Sequence, residues 1–297
     1  MNYVLDYYHP YAGLCNQLYL ITNHIHDSYN KGVQLYIHKF NVDIFQKKRI
    51  LANEVIDIVS TNKNLKNLLG KDILLTKNPE IVEYIPKLCI YPVSSIEILN
   101  CLEFDKSILE KVNKIKLHLN NALCYSSEQR YYSIHFRLDI DVIIHYTFGK
   151  ETYNTFMDLC NSDLLVAEEF FFNLDQNKIK KYCTFLMNQY FVFIKQFGFD
   201  KPWYICTSIT KWMIHDPMKI YLKECIDFIL RNNGMYYISP LLYNERELCA
   251  LVDLLILRDS EKMIGFEGSS FSEGYCLKVN SIRKVIKEYL FVKEYTT

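Results

Sequence analysis

Tyr131-Tyr132-Ser133-Ile134-His135-Phe136-Arg137-Leu138-Asp139-Ile140-Asp141 is an apolar run of β-strand character that ends in a histidine, an arginine and two aspartates. The charged cluster therefore falls where a strand leaves its sheet. In open α/β sheets, ligands bind in the crevice outside the carboxyl ends of the strands. Side chains alternate along a strand, so His135 and Arg137 face one side and Phe136 faces the other, toward the core. A planar guanidinium at a strand exit is suited to gripping a phosphate through two parallel hydrogen bonds. The competing reading is a surface ion pair of Arg137 with Asp139 or Asp141.

Outward from this run, the pattern is α/β throughout. A first strand covers about 2–6, and Gly13 opens a helix with Leu14, Leu18, Ile21 and Ile25 on one face, ended by Gly32. A strand over 33–37 follows, giving the strand–loop–helix–strand opening of a doubly wound sheet. Helices are expected over 50–60, 64–69, 107–117, 150–159, 174–197, 213–231, 245–257 and 282–292. Strands are expected over 131–136, 203–207, 235–238 and 262–265, and 73–92 is ambiguous. The polar connection 120–130 suggests a boundary. The expected organisation is an N-terminal Rossmann-like domain over 1–127, a C-terminal Rossmann-like domain over 128–280 and a C-terminal helix over 281–297.

Hydrophobic residues make up 50% and charged residues 23% of the 297, which is a globular and not a disordered composition. The formal net charge of zero offers no basic excess for nucleic acid or an anionic membrane. The 10 cysteines show no metal-knuckle or redox spacing, so they read as buried reduced thiols. Met1 runs directly into a strand, with no signal peptide and no stretch long enough to span a bilayer, so the expected location is cytoplasmic.

Three further motifs carry candidate chemistry. Gly13-Leu14-Cys15-Asn16-Gln17 joins the first strand to the first helix, the position of phosphate or sugar in a doubly wound sheet. It also fits a plain turn glycine before capping amides. Glu267-Gly268-Ser269-Ser270-Phe271-Ser272 offers backbone N–H groups and hydroxyls at a helix start, to an anion or simply to the helix itself. Asp253 interrupts an apolar helical stretch, where a carboxylate must find a partner or a cleft. It would suit the adjacent N1–H and N2–H donors of guanine. Asp139-Ile140-Asp141 also spells D-x-D, a pair that can hold a divalent ion against a diphosphate, although Arg137 could neutralise the diphosphate without one.

Taken together, G-x-x-N-Q at the first turn, H-x-R followed by Asp141, and a late Asp before I-G-x-x-x-S-S-F-S resemble the GDP-fucose fucosyltransferases of the protein O-, α1,2- and α1,6-linking superfamily. Tyr204-Ile205-Cys206-Thr207-Ser208 adds to the likeness, which runs from about residue 3 to 277. The resemblance implies a GT-B-like fold, two facing Rossmann-like domains with a cleft between them. It implies inverting, metal-independent transfer of L-fucose from GDP-fucose to a glycan or protein hydroxyl, with no cofactor beyond that donor. It carries guanine reading to His135 and Asp253 and the diphosphate and main catalytic role to Arg137. Asp141 would support Arg137 or contact the donor. Ser269, Ser270 and Phe271 would form the phosphate and fucose pocket, and Gly13 and Asn16 the sugar side. Some members carry a glutamate base just before the first glycine, where this chain has Tyr11 and Ala12. The alternatives are another GDP-sugar such as rhamnose, or a non-catalytic nucleotide-sugar or glycan-binding module.

Overall fold

Two sheets organise the chain, a mixed one of four strands and a parallel one of five. The computed structural model describes residues 2–6, 13–43, 48–79, 83–84, 96–121, 131–207, 218–240, 242–267, 269, 271 and 282–287. The chain divides into two compact units, Met1–Lys114 with Leu242–Leu255, and Ile115–Leu241 with Ile256–Thr297. The expected break near 127 therefore falls earlier, inside a continuous helix, and a later segment returns to the first unit.

In the first unit, β1 (Asn2–Asp6) leads through α1 (Leu14–Lys31) to β2 (Gln34–Asp43), then β3 (Lys48–Leu51), α2 (Ile58–Leu69) and β4 (Glu83–Tyr84). The strand order is β3-β2-β1-β4, with β1 parallel to both neighbours and β3 antiparallel to β2. Gly32 ends α1 in the left-handed conformation at φ 69°, returning its N–H to Ser28 and Tyr29 carbonyls. The helix expected over 50–60 is replaced by β3, a 3-10 turn at Ala52–Glu54 and a helix that begins only at Ile58. Two local contacts explain this. Ile50 pairs with Phe40 in the sheet, and the Asp57 carboxylate accepts the Ser60 N–H at 3.0 Å, a side-chain cap that sets the helix start. Helices α3 (Ile96–Asn100) and α4 (Lys106–Asn121) follow, and α4 continues into the second unit.

The second unit opens with β5 (Tyr132–His135), then α5 (Ile140–Phe148), α6 (Lys150–Ser162), α7 (Leu164–Phe172) and the long α8 (Gln176–Phe197). The stretch 142–175 is thus largely helical, and the helix expected over 150–159 lies within α6. Asp163 and Asp175 cap α7 and α8 by accepting N–H groups of their first turns. After β6 (Trp203–Cys206), α9 (Lys219–Arg231) and β7 (Tyr236–Ile238), helix α10 (Arg246–Arg258) precedes β8 (Lys262–Phe266) and β9 (Ile282–Ile286). The sheet order is β7-β6-β5-β8-β9, all parallel. All four residues of β5 and of β6 are buried, the two-sided burial a parallel sheet requires.

The expected C-terminal helix is corrected at its start, because 282–286 is an edge strand in register with β8. Ile282, Val285 and Ile286 satisfy the spacing of a helix face, but they are also β-branched, and ladder pairing beside β8 decides between the two. The rest of 281–297 lies outside the described residues apart from Lys287. No described helix is long and apolar enough to cross a membrane. Six described cysteines are buried thiols, and burial pushes those of Cys183 and Cys225 up to about 12.

His24 gives the first unit a pH dependence. It is buried on α1, its Nδ1 has no hydrogen-bond partner among the described residues, and burial lowers its pKa to about 4 against an upward pull from Asp27. The unfolded chain takes up a proton near pH 6.5 while the folded chain refuses it. Stability is therefore full above that pH and falls by about 1.4 kcal/mol per pH unit and per such histidine down to about 4. His24→Gln should flatten the difference in unfolding free energy between pH 7 and pH 5, as measured by urea titration at both. An unchanged difference would remove His24 from the linkage.

Candidate functional site

In the second unit the chain builds outward from β5 through β6 to β7, then jumps to the other side of β5 to add β8 and β9. The reversal lies between β5 and β8. Their carboxyl ends border the crevice in which a doubly wound sheet receives its ligand. The H-x-R motif leaves β5 at this point, and Glu267, Ser269 and Phe271 follow β8 at the same point. Two motifs more than 120 residues apart in sequence thus meet because their strands are neighbours.

The geometry is set by aromatic packing. The His135 ring lies 4.7 Å from the Phe271 ring and 5.5 Å from Phe266, which it meets edge-on. The Arg137 guanidinium carbon stands 5.7 Å from the Phe266 centroid, within cation–π reach. Phe136 turns away from these groups and stacks on Tyr190 of α8 at 5.0 Å. The Tyr190 hydroxyl donates to the His135 carbonyl at 2.8 Å and accepts the Arg137 N–H at 2.9 Å, so one side chain holds both sides of the strand exit. Sequence reading missed Tyr190, since within α8 it is one more member of an apolar face.

His135 is 9% exposed, and its Nδ1 is shielded and has no hydrogen-bond partner among the described residues. Burial first, and the neighbouring Arg137 charge second, push its pKa well below the ordinary value. The imidazole is therefore neutral near pH 7, with one nitrogen donating and one accepting. Ser269 is buried, its N–H directed to the Phe266 carbonyl at 3.4 Å. Asp139 takes the N-cap position of α5 and Asp141 its first turn, where a carboxylate favours the positive end of the helix. Ser270 lies outside the described residues. A cleft of about 710 Å³ in the same unit is lined by residues of α8, including Lys180, Lys181 and Phe185, and by none of these groups.

The remaining site residues belong to the first unit, so the structure does not gather all of them in one sheet. Gly13 follows β1, the strand at which the first sheet reverses its order. A Cβ added at Gly13 would stand 3.1 Å from Glu247 Oε2. Glu247 is itself buried, on the first turn of α10. The Glu247 side chain thus packs against the Gly13 backbone at the start of α1. The amide of Gln17 does not point into a cleft. It donates from Nε2 to the Asn41 carbonyl at 2.8 Å and accepts the Asn41 N–H at 2.9 Å, tying α1 to β2. Asn16 keeps a shielded Oδ1 without a hydrogen-bond partner among the described residues. Asp253 is buried in α10 at 4% exposure.

Compared with known proteins, the chain matches no protein-family model, no curated protein and no solved structure.

Tyr190→Phe should cost about 1–3 kcal/mol in urea unfolding, because the His135 carbonyl and the Arg137 N–H would both lose a buried partner. A cost near zero would show that the hydroxyl is dispensable. Gly13→Ala keeps allowed backbone angles, so its cost should come from Glu247 and be relieved in the Gly13→Ala, Glu247→Ala double variant. Additive losses in the double-mutant cycle would deny the contact.

Proposed function

We propose that the chain is a GT-B-type glycosyltransferase that moves L-fucose from GDP-fucose to a hydroxyl of a glycan or protein, with inversion and without a metal. The observation that carries the nucleotide-sugar part is the meeting of Arg137, His135, Ser269 and Phe271 at the switch point of the five-stranded parallel sheet. Guanine and fucose come from the sequence resemblance described above.

The chemistry follows from charge and shape. Transfer forms a bond from the acceptor oxygen to the sugar's anomeric carbon as that carbon's bond to the phosphate oxygen breaks; the GDP leaves with the electron pair, and the acceptor hydroxyl's proton passes late to solvent or to the departing diphosphate. A guanidinium held at the strand exit is placed to bind the diphosphate and to stabilise the charge that grows on it. Arg137 is suited to this by the packing of Phe266 beneath it and by the Tyr190 bond that fixes its backbone. A neutral His135 adds a hydrogen bond without competing for the negative charge. Phe266 and Phe271 contribute apolar surface around the imidazole, which favours a dry environment and strengthens these polar interactions. Asp141 is assigned a supporting role at the start of α5.

The test starts with thermal shifts in GDP, UDP and ADP, and GDP is expected to raise the melting temperature most. GDP release from GDP-fucose into water should persist in excess EDTA. Abolition by EDTA would instead assign Asp139 and Asp141 to a metal. Arg137→Ala should lower kcat by roughly 10²–10³-fold with a much smaller change in KM. Equal changes in both would make Arg137 a binding residue only.

A further inference from the structure

The Tyr190 hydroxyl holds the backbone of Arg137 but not its head group. Several rotatable bonds separate the guanidinium from that backbone, so its aim is set by other contacts. Phe266 makes one of them. It is the last residue of β8, fully buried, and it pairs with Ile286 of β9. The guanidinium carbon of Arg137 stands over its ring, 5.7 Å from the centroid.

The ring itself is held in place. His135 packs on it at 5.5 Å with the planes 84° apart, and Tyr190 at 6.0 Å with the planes 73° apart. One residue of β8 thereby touches both His135 and Arg137, and also the phenol that satisfies the backbone between them. A cation is drawn to the electron-rich face of an aromatic ring, most strongly where water is excluded. An aliphatic side chain would fill the space and exert no such pull. His135 is neutral, so it meets the ring without competing as a second cation. A guanidinium aimed before the donor arrives has little reorganisation left to make as charge grows on the departing diphosphate.

We propose that Phe266 is a positioning residue for the transfer reaction, its ring aiming the guanidinium of Arg137 through a cation–π contact. The inference rests on the reading of Arg137 as the group that stabilises the leaving diphosphate. Phe266 touches neither donor nor acceptor in this scheme and acts through Arg137 alone.

The experiment replaces Phe266 in the full chain with 4-fluoro-, 3,5-difluoro- and 3,4,5-trifluorophenylalanine. These keep the shape of the ring and make its face less negative step by step. GDP release from GDP-fucose should slow in the same order, by roughly 2–30-fold in kcat at the trifluoro ring, with KM nearly unchanged. The series spares the packing that Phe266→Leu would disturb, so loss of the fold does not confuse the result. In urea unfolding, the trifluoro ring and Arg137→Gln should be coupled by roughly 2–30-fold in the unfolding constant. A kcat that stays flat across the series, or a loss shared equally with KM, would overturn the assignment and leave the proposed function standing, because the wild type would still release GDP. Additive losses in the unfolding cycle would overturn the contact itself. No GDP release by the wild type would overturn the proposed function, and the role of Phe266 in the reaction with it.

Discussion

The Tyr190 hydroxyl is the contact on which the candidate site depends. A strand that ends inside a protein leaves its last carbonyl and the next N–H without ladder partners, and burial makes that costly. Here the two groups flank Phe136, and one phenol from α8 satisfies both. The same ring stacks on Phe136 and meets Phe266 at 6.0 Å, so helix, β5 and β8 are joined through a single side chain. His135 and Arg137 thereby leave the strand in defined directions. The His135 Nδ1 is left without a hydrogen-bond partner among the described residues.

Electrostatics reinforces this division of labour. Arg137 and burial together keep His135 neutral, and a neutral ring can lie against Phe271 and Phe266 without the desolvation cost of a second cation. The positive charge at this strand exit is then concentrated on one planar group. Had the histidine been protonated, two cations would have stood side by side in an apolar surround.

The α/β class and the place of the H-x-R run at a strand exit were legible in the sequence, because alternation and helical spacing report which faces are buried. The run 282–286 was not, since Ile282, Val285 and Ile286 fit a helix face as well as a strand, and only pairing with β8 decides. The same limit hid the break at 50–60, where Asp57 caps a helix that hydrophobic spacing would start earlier. Within the site, Arg137, His135, Ser269 and Phe271 announced themselves by residue type. Tyr190 and Glu247 did not, because each acts by meeting a residue more than 50 positions away. Gln17 misled for a related reason, as an amide beside a glycine turn looks available until β2 is seen to take both of its polar atoms.

The two sheets differ in the groups they place at equivalent points. Each reverses its strand order beside its first strand, β1 in one and β5 in the other, and a doubly wound sheet can take an anion at either. At the β1 end, the Glu247 side chain stands against Gly13 at the start of α1. At the β5 end, a guanidinium leaves the strand and the buried imidazole beside it carries no charge. A diphosphate has at least two negative charges to place, and like charges a few ångströms apart in a poorly solvated setting repel by several kcal/mol at an effective dielectric constant of about 20. Under the proposed function, the Arg137 guanidinium is the group at the β5 end that offsets this charge.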